Sequence, residues 1–327
     1  PDATALGSGD VRIASFNVLN YFTTLGSSRS DCTPYTDRVG NGITTKSCTG
    51  ANGPRGAWDT ASLQRQQDKI VHAINALDAD VVGLMEIENS LVVDGPGHAD
   101  AALATLVGAL NADAGATKWA YVPSSADLPP ASEMDVITNA IIYRIATVRR
   151  IGDSHALGDR SGDGEPFVNA REPIAQAFMP MGDGNPFTIV VNHLKSKGSA
   201  GPLPGDADSG DGQGASNASR VAQATALNAW VSDTLIPETG VDDVFLAGDF
   251  NSYTMEDPLN ILYNDGWTDL NSHYQTGKQS YNFGGMNGSL DHVLANTSAL
   301  ARTTGADIWN INAPESIALE NSRYNYH

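Results

Sequence analysis

Four segments of the chain have the composition of buried strands, yet each stops on a polar group that a core strand does not need. They are Val11-Arg-Ile-Ala-Ser-Phe-Asn17, Ala79-Asp-Val-Val-Gly-Leu-Met-Glu86, Phe187-Thr-Ile-Val-Val-Asn-His193, and Asp243-Val-Phe-Leu-Ala-Gly-Asp249, the last followed at once by Phe-Asn251. Short apolar runs bounded by polar or turn residues read as strands. Between them the pattern changes to helical spacing: Leu63, Ile70, Val71, Ile74 and Leu77 within Thr60 to Leu77, then Leu103, Leu106, Val107 and Leu110, then Val221, Ala224, Leu227, Trp230 and Val231. Asp59 or Thr60 is placed to cap the first helix. Shorter strands are expected at Ala140-Ile-Ile-Tyr-Arg144, from Pro173 to Phe178 and at Gly288-Ser-Leu-Asp291-His-Val-Leu-Ala. The second of these should turn back into the Phe187 strand across Met181-Gly-Asp-Gly-Asn. Mixed strands separated by helices imply a layered α/β fold. With no repeat or linker, one domain over residues 1–327 is expected.

Two long stretches carry neither pattern. Residues 23–57 and 198–215 are rich in Gly, Ser, Thr, Asn, Asp and Pro and read as loops, the second a mobile one. A loop as long as the first usually has a use, such as shaping a cleft. It contains the chain's two cysteines, Cys32 and Cys48. Neither has metal-ligand spacing to a histidine, so a disulfide closing the loop is favoured over two free thiols. A bridge fits an oxidising, extracellular compartment.

No apolar run approaches the ~20 residues of a membrane span. The first residues, Pro1-Asp2-Ala3-Thr4, have no signal-peptide character and read as a processed or trimmed start. The formal charge is −19, from 38 acidic against 19 basic residues. Such a chain repels a polyanion at long range, which argues against a high-affinity nucleic-acid-binding module. It does not exclude an enzyme, because a metal ion and a few local cations suffice to hold one phosphate.

A single polar strand end is simply a strand reaching solvent. Several at the ends of successive buried strands point to a shared cleft. Asn17, Glu86, Asp249 and Asn251 are oxygen donors, a set that suits Mg²⁺, Mn²⁺ or Ca²⁺ and not zinc. A hard cation with spare water positions suits phosphate-ester chemistry, and His193 can supply a hydrogen bond or a proton.

Five segments then occur in order: Ser15-Phe-Asn17-Val, Gly83-Leu-Met-Glu86-Ile-Glu-Asn89, Val191-Asn-His193-Leu-Lys-Ser-Lys197, Gly248-Asp249-Phe-Asn251 and Ser289-Leu-Asp291-His-Val. Together they resemble the endonuclease/exonuclease/phosphatase superfamily. With Pro54-Arg-Gly-Ala and Asn282-Phe-Gly-Gly, they are most similar to bacterial extracellular nucleases of the ExeM/NucH type. The resemblance implies a four-layer αββα sandwich, two mixed β-sheets flanked by helices, as in pancreatic deoxyribonuclease. It also implies a secreted nuclease of low sequence specificity. DNA is the expected substrate, with RNA a second candidate, and neither a membrane nor a protein partner is implied. Mg²⁺ or Mn²⁺ is the expected cofactor, with Ca²⁺ a further candidate.

By the same resemblance Glu86 is the principal metal ligand, assisted by Asn17. Asp249 orients or deprotonates the attacking water, Asn251 holds the phosphate, and His193 stabilises the transition state or protonates the leaving oxygen. Arg171 and Asp135 are implied phosphate-site residues. Lys195 and Lys197 extend from the His193 strand and are either phosphate-facing cations or a solvated strand end. Asp291 would orient a second catalytic histidine, which the superfamily carries in a Ser-Asp-His-x-Pro segment. No Ser-Asp-His occurs in this sequence, which ends Tyr324-Asn-Tyr-His327. The expectation is therefore a chain lacking the superfamily's terminal strand. Two readings compete with a nuclease: another phosphodiesterase or phosphatase, acting on a phospholipid headgroup or inositol phosphate, and a crippled DNA-binding module. No membrane-docking hairpin is evident in the sequence. Trp58, Tyr253, Tyr281 and Phe283 are either base-stacking or packing aromatics, and Asp206, Asp208 and Asp211 loosely resemble a calcium loop.

Overall fold

The computed structural model describes residues 9–182, 184–283, 285–311 and 320–321. Residues 1–4, 183 and 324–327, which bear on the start of the chain, one hairpin turn and its terminal histidine, lie outside the described residues. The first half runs β1 (Ile13–Tyr21), β2 (Cys32–Thr36), β3 (Gly42–Cys48), α1 (Thr60–Leu77), β4 (Val81–Glu88), α2 (Ser90–Val93), α3 (Ala101–Ala114), β5 (Trp119–Tyr121), β6 (Ile137–Arg144) and β7 (Val148–Ala156). There follow β8 (Arg171–Pro180), β9 (Phe187–His193), α4 (Asn217–Trp230), α5 (Ile236–Thr239), β10 (Val244–Asp249) and α6 (Asp257–Asn264). The last elements are β11 (Thr268–Asp269), α7 (Leu270–His273), β12 (Tyr281–Phe283), β13 (Met286–Gly288), β14 (Asp291–Ala295) and α8 (Thr297–Leu300).

Two mixed sheets carry the fold, ordered β1-β4-β6-β5 and β11-β14-β10-β9-β8-β7. Their central strands are apolar on both faces because both faces are covered. On β4, Val81 and Met85 point into the layer between the sheets, where they meet Ile189 and Val191 of β9 and Ala247 of β10. The alternate residues Val82 and Leu84 point outward, against Ile70 and Ile74 of α1 and Leu103 and Leu106 of α3. The second sheet does the same: Val190 and Leu246 turn outward to Leu227 of α4 and Leu259 of α6. The result is the expected αββα sandwich. Asp59 caps α1, accepting a hydrogen bond from the Ser62 amide at 2.8 Å, which satisfies one of the helix's unpaired first-turn donors.

Two glycines let the sheets and strands approach where the motifs lie. A Cβ on Gly83 would stand 2.7 Å from Cγ2 of Val191 in the facing sheet. A Cβ on Gly248 would stand 2.0 Å from the Asn192 carbonyl oxygen, and Gly248 has φ of +141°, a conformation that L side chains avoid. That contact lies in the parallel β9–β10 register that sets Asp249 opposite His193.

The first of the two loop expectations needs correction. Within residues 23–57 lies the antiparallel hairpin β2–β3, with Cys32 directly across from Cys48 and bridged to it by a disulfide. Its strands are short, mostly polar and Thr-rich, so no apolar alternation announces them; the cross-link does the work of a core. Strand β7 was also not expected. It is the edge of its sheet, its Arg149 and Asp153 are exposed, and edge strands need little apolar sequence. Residues 198–215 form no regular element, but they are not free. The Arg220 guanidinium, fully buried, donates to the carbonyls of Gln213 and Ala215 at 2.9 and 2.8 Å, and Asp206 accepts from Ser219 and Leu203. Asp206 is thus spent on anchoring α4, not arranged with Asp208 and Asp211 as a cation loop.

Gly248→Ala should therefore lower stability by more than about 4 kcal/mol, the range reserved for backbone strain and core overpacking combined. The urea-unfolding midpoint measures this, and a midpoint equal to wild type would disprove the close approach.

Candidate active site

The polar strand ends converge at one edge of the sandwich because strands β1 and β4 break their regular pleat at the same level. The β1–β4 register shifts between Asn17 and Tyr21, and the β4–β6 register shifts between Leu84 and Ile87. Bulges of this kind re-aim side chains at sheet ends. At the break Glu86 takes φ of +64°, and Leu19 and Asn20 both take +51°. Left-handed backbone in non-glycine residues costs of order 1–3 kcal/mol each and persists only where the surroundings impose it. Here hydrogen bonds impose it. The Asn20 amide donates to Oε2 of Glu86 at 3.0 Å, and Nδ2 of Asn17 donates to Oε1 at 3.1 Å. The Leu19 amide occupies Oδ1 of Asn17 at 2.8 Å. Asn17 therefore meets the site mainly by orienting Glu86.

From the facing sheet come His193 at the end of β9 and Asp249 at the end of β10. One ligand atom from each of Glu86, His193 and Asp249 lies within 4.8 Å of the others. Nε2 of His193 and Oδ2 of Asp249 stand 3.8 Å apart, too far for a hydrogen bond. Nδ1 of His193 is buried with no hydrogen-bond partner among the described residues.

Charge is concentrated and poorly solvated here. Burial, with the charges of Asp291 and Glu86, pushes the Asp249 carboxyl well above the usual carboxylate range. Asp291, paired with Asp249 across β10 and β14, is raised by burial, although Oγ of Ser280 donates to it at 2.9 Å. Burial and the nearby Arg171 and Arg55 push His193 well below the usual imidazole value, so it is neutral at pH 7. Three carboxylates around one neutral imidazole form a site short of positive charge. Its donors are mostly oxygens, the set a hard divalent cation prefers. The residues fit such an ion: Glu86 and Asp249 would hold it, with Asn17 fixing Glu86 and His193 alongside.

The other expected residues fall around this centre. The Leu194 carbonyl accepts from both Nδ2 of Asn251 at 3.0 Å and Nη2 of Arg171 at 2.9 Å, so one backbone oxygen sets both groups. The Asn251 amide donates to Oδ1 of Asp249 at 2.8 Å. Arg171 is buried, and its Nη1 lies 3.9 Å from Asp135. Lys195 is half-buried, with Nζ 3.2 Å from the Ser199 hydroxyl, and burial and Arg171 lower its pKa. Lys197 is drawn away: its ammonium contacts both oxygens of Glu256, one at 2.6 Å, and lies 5.1 Å from the centre of the Tyr253 ring. His292, next to Asp291, is buried between Asp269 and the Ser252 carbonyl at 2.7 and 2.9 Å, which is a structural role.

Two contributors have no signature in the residue pattern, Asn20 through its amide and Ser280 through its hydroxyl, and the motif segment that holds Arg55 assigns it no role. Arg55 lies in the Pro54-Arg-Gly-Ala segment and donates from both terminal nitrogens to Asp135, at 3.2 and 2.7 Å. The neighbouring motif residues support the site. Nδ2 of Asn89 donates to the Asp135 carbonyl at 3.1 Å, and buried Glu88 accepts from the Thr24 amide and the Ser90 hydroxyl at 2.8 and 2.6 Å.

Residues 51–313 match the sequence pattern of the endonuclease/exonuclease/phosphatase family. The chain belongs to that family. Its members are hydrolases of phosphodiester and phosphate esters and generally depend on divalent metal ions, consistent with the Glu86–His193–Asp249 cluster. Among solved structures, the chain is similar to an endonuclease/exonuclease/phosphatase family protein from Bacteroides thetaiotaomicron. That match has 17% identity and a TM-score of 0.54, and covers 88% of this chain and 83% of that one. It is also similar to ANGEL2, a 2′,3′-cyclic phosphatase in complex with adenosine-2′,3′-vanadate, at 11% identity and a TM-score of 0.50, covering 88% of this chain and 84% of that one. At such identities these two matches establish the fold. No curated protein matches the sequence.

Because Arg171 compensates the acidic cluster only in part, metal should stabilise the fold. At a free Mg²⁺ or Mn²⁺ concentration a hundredfold above its Kd, the gain is about 2.7 kcal/mol. Scanning calorimetry with metal and with a chelator reads it; equal midpoints would contradict the assignment. Asp249→Asn should abolish most of the gain. The raised folded-state values of Asp249 and Asp291 have a definite sign. Their contribution to metal-free stability is fully present below the ordinary carboxylate pKa and is lost as pH rises through the raised values. Asp249→Asn should flatten that decline, measured by chemical unfolding at a series of pH values.

Proposed function

We propose that this protein is a secreted, divalent-metal-dependent nuclease of the ExeM/NucH type that hydrolyses phosphodiester bonds of DNA, with RNA as a second substrate and little sequence specificity. The carrying observation is the meeting of Glu86, His193 and Asp249 from facing sheets within 4.8 Å, beside Arg171 and Asn251 held on one carbonyl. A bound divalent ion would neutralise charge developing on the phosphate and favour ionisation of water.

The chain's own groups have separable roles in this reading. Asp249 orients the attacking water, its carboxylate fixed by the Asn251 amide at 2.8 Å. Neutral His193 carries one N–H, which it donates to a phosphate oxygen. Arg171 holds the phosphate with a charge that burial makes effective, and Asn251 is fixed to assist it. Asp291 keeps Ser280 in place and adds to the field that raises Asp249. Both cysteines are in the disulfide, which supports an extracellular setting. Among the described residues no helix is long and apolar enough to cross a membrane.

Glu86→Ala and His193→Ala should each reduce plasmid cleavage by at least about 100-fold, the usual scale for losing a preorganised transition-state contact, with unchanged circular dichroism. Unchanged cleavage in either variant would refute these roles.

One observation favours a second reading. The hairpin β12–β13 begins immediately after Ser280 and exposes Phe283 at 67% and Met286 at 74%, so an apolar hairpin is present where the sequence showed none. Tyr281 and Phe283 lie with rings nearly parallel, 6.2 Å between centres. On a nuclease such rings would stack on bases; on a phospholipase-like diesterase they would dip into lipid. Release of phosphocholine from sphingomyelin vesicles without plasmid cleavage would select the second reading.

A further inference from the structure

We infer that the disulfide-closed hairpin β2–β3 positions Arg55 as a charge-balancing partner of Asp135, which leaves Arg171 available to the substrate phosphate. This rests on the phosphate-ester reading of the site and adds a positioning residue to it.

Asp135 stands between two guanidinium groups. Arg55 grips it with both terminal nitrogens, at 2.7 and 3.2 Å, while Arg171 lies 3.9 Å away. The forked contact is the stronger, because two charge-assisted bonds at this length outweigh a longer single approach. Arg171 is buried, bonded to one backbone carbonyl, and its Nε has no partner among the described residues. Without Arg55, the Asp135 carboxylate has Arg171 as its remaining nearby cation among the described residues and would compete with an incoming phosphate for it. Asp135 cannot turn away readily, since the Val136 amide holds Oδ1 at 2.7 Å and Asn89 holds its carbonyl.

Arg55 is itself half-exposed, and a free arginine there would have many rotamers. The hairpin restricts its backbone from both sides. On one side the Pro54 carbonyl lies 3.6 Å from Sγ of Cys48, and a Cβ on Gly53 would fall 2.3 Å from Cβ of Cys48. On the other, Gly56 passes so close to β1 that a Cβ would stand 2.7 Å from the Asn20 carbonyl oxygen. The Thr45 amide donates to the Gly56 carbonyl at 2.8 Å and the Gly26 amide to the Ala57 carbonyl at 3.1 Å. The segment carrying Arg55 is thus packed between the disulfide and the strand bulge that presents Glu86. A cross-link over a 16-residue separation has a local purpose here: it fixes one side chain at the site.

The test uses the full chain with Mg²⁺ or Mn²⁺ and bis(p-nitrophenyl) phosphate. Arg55→Ala should raise KM about tenfold, one charge-assisted contact's worth, and leave kcat within about twofold. Adding Asp135→Asn to Arg55→Ala should bring KM back to within about threefold of wild type, because the competing carboxylate is gone. Cys32→Ser with Cys48→Ser should raise KM as Arg55→Ala does, and combining all three changes should add less than about twofold. An unchanged KM in Arg55→Ala, or no recovery with Asp135→Asn, overturns the inference. If the cysteine variant does not fold by circular dichroism, the arginine and aspartate variants still decide. If the wild-type protein hydrolyses no diester, the functional reading fails on its own. Calorimetric titration with inorganic phosphate then decides the positioning role: weaker binding in Arg55→Ala, recovered with Asp135→Asn, supports it, and equal binding refutes it.

Discussion

Mutual repulsion among Glu86, Asp249 and Asp291 is the constraint around which the rest of the site is arranged. Burial raises Asp249 and Asp291, and the charges of Asp291 and Glu86 raise Asp249 further. Burying an ionised carboxylate costs several kcal/mol unless opposite charge or hydrogen bonds compensate. The protein supplies hydrogen bonds generously and positive charge sparingly. Asn17 and the Asn20 amide hold Glu86, Ser280 holds Asp291, and the Asn251 amide holds Asp249. Arg171 is the buried cation beside them. The shortfall suits a divalent ion: the binding free energy that the ion supplies is what the folded protein gives up in its absence.

The strain in the backbone belongs to the same economy of position. A regular β4 would alternate its side chains between the sheet interior and α1. Glu86 would then face one apolar layer or the other. The paired breaks in β1 and β4, with positive φ at Glu86, Leu19 and Asn20, direct the carboxylate toward the facing sheet instead. Gly83 and Gly248 complete the geometry, one by allowing the sheets to close and the other by allowing β10 to lie against β9. Reactive groups from separate sheets can meet within a few ångströms because no side chain intervenes at those two points.

The peripheral elements also serve the centre. The β2–β3 insert has almost no core of its own, and its disulfide substitutes for one. It touches the site through Arg55 and lies along the bulge of β1. The segment between β9 and α4, polar and Gly-rich, is secured by buried Arg220 and Asp206. It thereby holds Lys195 and Lys197 in different surroundings: the first near Arg171, the second against Glu256 and Tyr253. Two lysines two residues apart with the same pattern in sequence so acquire different roles.

Much of this was legible in the residues themselves. Strands such as Val81–Glu88 and Phe187–His193 announce themselves because burial on both faces demands unbroken apolar sequence, and a polar terminus on such a run is costly enough to signal a site. The oxygen-rich donor set at those ends likewise indicated the class of cation. Elements with little burial were not legible: β7 at a sheet edge, the cross-linked β2–β3 and the exposed β12–β13 carry no periodic signal because packing does not select their residues. The sequence alone determined the layered fold and the polar ends of its buried strands, and it favoured a bridge between the two cysteines. Tertiary structure decided which groups meet. Asn17 became an orienting group, Lys197 an ion pair with Glu256, and Arg55 a partner of Asp135, because those outcomes depend on bulges, close approaches and cross-sheet distances that no one-dimensional spacing encodes.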